Sequence, residues 1–108
     1  MKVVLVEPGK PATSKELPNR LEVLQQEVGG WIEAVYLPDD DACMIVNEEG
    51  KLLGMKPNIL LKNSDGTAYD VLCGNVLIVG IDEDDFCGLS EDQTARYLEE
   101  YSTADRLY

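Results

Sequence analysis

The chain opens on KVVLV, an unbroken apolar run that predicts a strand, and EPGKP then interrupts regular structure with prolines and a glycine. A loop follows. From Asn19 the spacing turns helical and predicts a helix over 19–28, with Asn19 as cap, Glu22 as its capping-box partner, and Leu21, Leu24 and Val28 on one face. Gly29 is expected to stop that helix, because the left-handed conformation costs a glycine little. WIEAVYL, residues 31–37, puts Trp31, Glu33, Val35 and Leu37 on one side and Ile32, Ala34 and Tyr36 on the other. Both sides are mostly apolar, which predicts a largely buried strand.

PDDDA is the exit turn, and CMIVNEEGKLLG reads as a strand, a turn at NEEG and a second short strand. Pro57 interrupts the pattern and pushes Lys56 toward an extended conformation. ILL predicts a further short strand, and NSDGTAYD carries an Asp-Gly turn signal before the long run VLCGNVLIVGI, within which Gly74 suggests a bulge or a close backbone approach. After the acidic DEDDF, Ser90 and Gln93 form a second capping box. They open a helix over 91–101 with Ala95, Leu98 and Tyr101 on its apolar side. The order β, α, several strands, α predicts one α+β domain over residues 1–108, with two helices packed on a mostly antiparallel sheet.

Charge narrows the possible partners. With 21 acidic residues against 9 basic ones, no histidine and a net charge of -12 over 108 residues, the chain lacks the clustered cations that phosphate backbones or anionic membranes require. Direct nucleic-acid and membrane binding are therefore not expected. The apolar run before Glu7 is too short for a signal segment, and no stretch is long enough to span a bilayer, which predicts a cytoplasmic protein. Cys43, Cys73 and Cys87 have no CxxC spacing, so reduced thiols without zinc are expected. The apolar content of 44%, with strands such as CMIV and NVLIVG whose edges need covering, predicts a homo-oligomer.

Catalytic chemistry has few carriers here. Histidine, the usual group titrating near neutrality, is absent, and the acidic runs Asp39–Asp41 and Asp82–Asp85 fail the EF-hand template. Starting that template at Asp82 puts Cys87 at its glycine and Gln93 at its closing glutamate, so the runs read as solvated loop charge. Neither GxxxxGK[ST] nor GxGxxG is present. The notable feature is Trp31, preceded by Gly29 and Gly30, with Lys10, Arg20, Lys51 and Lys56 as cations able to approach it. Two readings stay open: a tight corner with a core tryptophan, or a ring that stacks on a base beside backbone N–H groups.

The runs LEVLQQEVGGWIEAVYL, VNEEGKLLGMKPN, YDVLCGNVLIVG and LSEDQ together resemble the DUF3846 family of small proteins from bacteria, phages and mobile elements. The most specific pieces are Gln25 through Glu33 and Val46 through Leu52. The family's function is undefined, so the resemblance implies a genetic setting, that of an accessory protein countering host defence in a bacterial cytoplasm.

In that setting the expected function is non-enzymatic: binding and sequestration of a nucleotide-derived signalling molecule, without a cofactor. Gly29, Gly30, Trp31, Asn47, Lys56 and Asn58 would supply ring, backbone and polar contacts. The alternative is an acidic protein that imitates DNA and occupies a nucleic-acid-binding host protein. A carboxylate-held metal in a nucleotide-processing enzyme is the third option.

Overall fold

The elements in chain order are β1 (Lys2–Val6), β2 (Thr13–Glu16), α1 (Leu21–Val28), β3 (Ile32–Tyr36), β4 (Ala42–Asn47), β5 (Pro57–Lys62), β6 (Ala68–Cys73), β7 (Val76–Asp82), β8 (Asp85–Cys87) and α2 (Glu91–Glu100). The structure, a computed structural model, describes residues 1–102, so residues 103–108 of the expected domain lie outside the described residues. The main sheet runs β2-β1-β7-β4-β3, with β8 also pairing β7, and every pairing in it is antiparallel. β5 and β6 form a separate hairpin, closed at the Asp65-Gly66 turn where Gly66 has φ 87°. The chain is thus an α+β domain with two helices on a largely antiparallel sheet.

Alternation along the central strands explains the layering, since successive side chains of a strand point to opposite faces. Val3, Leu5, Cys43, Ile45, Leu77 and Val79 point to one face, where Leu24 and Val28 of α1 cover them. Val4, Val6, Met44, Val46, Val76 and Ile78 point to the other, against Ile59, Leu61 and Leu72 of the hairpin and Tyr97 of α2. That is why KVVLV, CMIV and VLIV carry no polar side: each is covered on both faces. Met44, Ile45, Leu77 and Ile78 are fully buried, each contributing about 1.5–3 kcal/mol.

Several expectations are corrected. Asn19 does not cap α1: Arg20 holds the cap position with no side-chain bond, and the Asn19 amide instead donates to the Phe86 carbonyl at 2.9 Å. Leu21 is half exposed although it shares the apolar spacing of Leu24 and Val28. KLL forms no strand: residues 48–54 are turns, and Leu52 and Leu53 face solvent. VLCGNVLIVGI is not one strand with a bulge. Gly74, at φ 83°, separates β6 from β7, and its N–H donates to the Lys56 carbonyl at 2.8 Å.

WIEAVYL becomes an edge strand, with Trp31 and Tyr36 exposed and Ile32, Ala34, Val35 and Leu37 half buried. CMIV and VLIV, expected to need covered edges, are central strands paired on both sides. The loop after EPGKP holds β2, and the acidic DEDDF holds the start of β8. In α2 the Ser90–Gln93 capping box forms as expected, but Thr94 and Tyr97 take the buried side while Ala95 is exposed.

Candidate functional site

The glycine pair has distinct structural duties. Gly29 ends α1 at φ 81°, and the N–H groups of Gly29 and Gly30 both donate to the Gln25 carbonyl. Asn47, buried at the end of β4, donates its amide to the Val28 carbonyl at 3.1 Å and accepts from the Glu49 N–H at 2.7 Å. A Cβ on Gly30 would lie 2.9 Å from that Asn47 amide nitrogen, so Gly30 leaves room for the asparagine that ties α1 to β4. Trp31, 65% exposed, is not core.

Of the six residues expected to meet at a ligand, Gly29 and Gly30 lie against Asn47, but the six do not line one cleft. Asn47 lines a cleft of about 450 Å³ between the 47–52 turns and β6, together with Glu33, Glu48, Glu49, Lys51 and Asp70. Gly29 and Lys56 line a second cleft of about 350 Å³ beside Glu27 and Gly74. Trp31 lines neither. Asn58, 3% exposed, donates its amide to the carbonyls of Val6 and Gly74. The cations are also engaged locally: Lys10 with Glu7, Arg20 with Glu22, and Lys51 with Asp70 at 2.5 Å. Four carboxylates around the larger cleft oppose a phosphorylated ligand there.

A different grouping emerges where the sequence showed two separate acidic runs. Ala42 pairs with Gly80, and the Ile81 N–H donates to the Asp41 carbonyl at 2.9 Å, which brings the Asp39–Asp41 and Asp82–Asp85 turns to one end of the sheet. Gln93 of α2 reaches the Asp40 carboxylate at 3.0 Å and the Asp41 carbonyl at 3.3 Å, adding Glu91 and Asp92 to the same end. The Cys87 thiol registers this field: burial pushes its pKa up, and the charges of Asp82 and Asp41 add to the rise. Within the β7–β8 hairpin, Asp82 and Asp85 face each other across the ladder and Glu83 takes φ 59°. Both features cost stability, since like charges repel across strands and a glutamate is strained in the left-handed region.

Asp40 anchors this acidic end. Its carboxylate accepts from the Tyr97 hydroxyl and from the Arg96 guanidinium at 2.5 Å, while Gln93 and the Asp41 N–H supply further bonds. Burial alone would raise its pKa, but the bonds from Tyr97, Gln93 and Asp41 and the Arg96 charge bring it below the ordinary carboxylate value. Burial, then Asp40, pushes the Tyr97 hydroxyl well above its ordinary value. A depressed carboxylate contributes stability that is complete above its unfolded pKa and is lost as pH falls through the folded one. Asp40→Asn is therefore expected to destabilise the protein by about 1–2 kcal/mol at neutral pH and by less below about pH 4. Thermal melts across pH check this.

Cys43 is buried and its thiol is pushed up to about 11 by desolvation, which leaves it inert. Among the described residues no three or more His, Cys, Asp or Glu side chains converge in a way that could hold a metal ion. The carboxylates of the acidic end form a spread of charge, not a chelate. No helix among the described residues is long and apolar enough to cross a membrane.

The family described as "Domain of unknown function (DUF3846)" matches residues 1–102. The chain belongs to the DUF3846 family. No curated protein and no solved structure matches it. Three of the four runs that carry the DUF3846 resemblance meet at one corner of the fold, while LSEDQ caps α2 at the acidic end. Gln25 binds the glycine corner, Asn47 ties α1 to β4, and Gly50 packs where a Cβ would lie 2.9 Å from the Cys73 carbonyl. Asn58 bonds the Gly74 carbonyl, and Lys51 pairs with Asp70. These DUF3846 residues act as fastenings between the main sheet, α1 and the β5–β6 hairpin.

Proposed function

We propose that this DUF3846 protein is a non-enzymatic binding protein whose acidic end occupies the basic, nucleic-acid-binding surface of a protein target. The observation that carries the reading is the union of the Asp39–Asp41 and Asp82–Asp85 turns at one end of the sheet, with Arg96 there already bound to Asp40. Carboxylates held on short turns are positioned without the side-chain ordering that long chains would require. A basic groove evolved for phosphates meets a surface that carries the same sign of charge as they do. The absence of histidine from the sequence and the inert Cys43 support a role without turnover. Countering a host defence enzyme is the setting that the family resemblance implies.

Sequestration of a nucleotide-derived signal is the competing reading, and the exposed ring of Trp31 favours it. Against it, Asn47 and Asn58 spend their amides on backbone carbonyls, and Lys56 opens on a different cleft from Asn47. The test sets the two side by side. The protein is assayed against a panel of bacterial DNA-cleaving enzymes, and calorimetry is run with cyclic and ADP-ribose-type nucleotides. Inhibition of cleavage with no nucleotide heat is expected. Nucleotide heat that falls about 5- to 150-fold in affinity in Trp31→Ala, with cleavage unaffected, would overturn the proposal.

A further inference from the structure

We infer that the open edge of β3 is a homodimer interface, at which two copies pair antiparallel about a two-fold axis through Ala34. β3 closes one side of the main sheet and has β4 as its only strand neighbour among the described residues. The Glu48 N–H donates to the Trp31 carbonyl and the Leu37 N–H donates to the Ala42 carbonyl, bracketing the β3–β4 ladder at both ends. Backbone groups alternate in direction along a strand, so Trp31, Glu33, Val35 and Leu37 turn theirs toward β4. Ile32, Ala34 and Tyr36 turn theirs outward, to the open edge.

The opposite edge of the sheet is protected. β2 is short and polar, TSKE, with Lys15 paired to Glu27 and Glu16 close to both the N-terminal amine and Lys2. β3 carries a single charge, the exposed Glu33. Its central outward residue is Ala34, and exposed aromatics, Trp31 at 65% and Tyr36 at 64%, stand at its two ends. An isolated exposed ring is ordinary, but two at the ends of a strand with one open edge supply the large amphipathic contacts typical of interface anchors.

The identity of the partner follows from the residues of β3 themselves. With the axis at Ala34, Ile32 and Tyr36 of each copy form the hydrogen-bonded pairs flanking Ala34–Ala34. On the α1 side, Tyr36 then covers Ile32 of the second copy. On the other side, the close non-hydrogen-bonded pairs set Trp31 against Leu37 and Glu33 against Val35. Both exposed rings are covered by aliphatic side chains and no two carboxylates oppose.

Neighbouring registers fail. An axis at Glu33 would put Glu33 directly opposite Glu33, and an axis at Val35 would set Pro38, which has no N–H, against Ile32 and Asp39 against Trp31. Of these three registers, only the one centred on Ala34 makes the strand complementary to itself. The two acidic ends would lie at opposite ends of the joined sheets, leaving each free for a target.

Trp31 is the only tryptophan and reports directly on this contact. Sedimentation velocity of the full chain from about 1 to 200 μM is expected to show a dimer, with Trp31 emission moving to longer wavelength as dilution exposes the ring. Trp31→Lys with Tyr36→Lys replaces only exposed side chains. It should raise the dimer dissociation constant at least about 30-fold while leaving circular dichroism and Tm close to wild type. Ala34→Pro, which removes an outward N–H and no β4 bond, should give a folded monomer. A wild-type chain that stays monomeric at 200 μM, or a double-lysine variant that dimerises as wild type does, would overturn the inference.

Discussion

Asn58→Ala is expected to lower the unfolding free energy by about 3 kcal/mol, more than most single substitutions at a polar residue. Asn58 is 3% exposed, and its amide donates at 2.8 Å to the carbonyl of Val6 and at 2.8 Å to that of Gly74. These acceptors lie on β1 and at the corner between β6 and β7, so one side chain fastens the β5–β6 hairpin to the main sheet. Alanine removes that donor from both carbonyls in a water-poor setting, and each unsatisfied buried group costs about 1–3 kcal/mol. Urea denaturation should show a lower midpoint with an unchanged slope. A loss under about 1 kcal/mol would mean that the carbonyls find other donors and that the hairpin is held by apolar packing alone.

The same residue shows where sequence reading stops. Asn58 follows Pro57 in a stretch read as an interruption, and as a hydrogen-bonding side chain it was equally suited to a ligand or to the backbone. Only the fold shows that Val6 and Gly74 present carbonyls to it. The opening strand, the Gly29 stop, the Asp65-Gly66 turn and the Ser90 cap were legible because each depends on residues close in sequence. The Asn19 cap failed for the opposite reason: its amide was taken by the Phe86 carbonyl, a long-range partner.

Pattern alone also could not distinguish an edge strand from a central one. WIEAVYL and VLIV are both apolar on both sides, yet the first borders the sheet and the second lies within it. The acidic end was hidden in the same way. DDD and DEDD are about 40 positions apart, and the pairing of β4 with β7 makes them neighbours. Read separately, each was ordinary surface charge.

Neutralising the β7–β8 hairpin as Asp82→Asn, Asp84→Asn and Asp85→Asn is expected to change binding and stability in opposite directions. Each lost charge pair with a basic surface is worth about 1 kcal/mol near 4 Å in water, so three should weaken target binding by about 100-fold. Removing the Asp82–Asp85 repulsion should stabilise the fold by about 0.2–1 kcal/mol. A general unfolding effect would lower both quantities together. Opposite signs would place the carboxylates among residues kept at a cost to stability, as binding surfaces commonly are.

The most direct test is displacement of fluorescently labelled DNA from a DNA-cleaving bacterial enzyme inhibited by the protein, read by anisotropy at about 0.05 and 0.3 M salt. The wild-type chain should release the DNA. The triple-asparagine variant should need about 100-fold more protein at the lower salt, and the difference between the two should shrink at the higher salt. An inhibited enzyme that keeps its DNA bound, or equal displacement by both chains at low salt, would contradict docking through the acidic end.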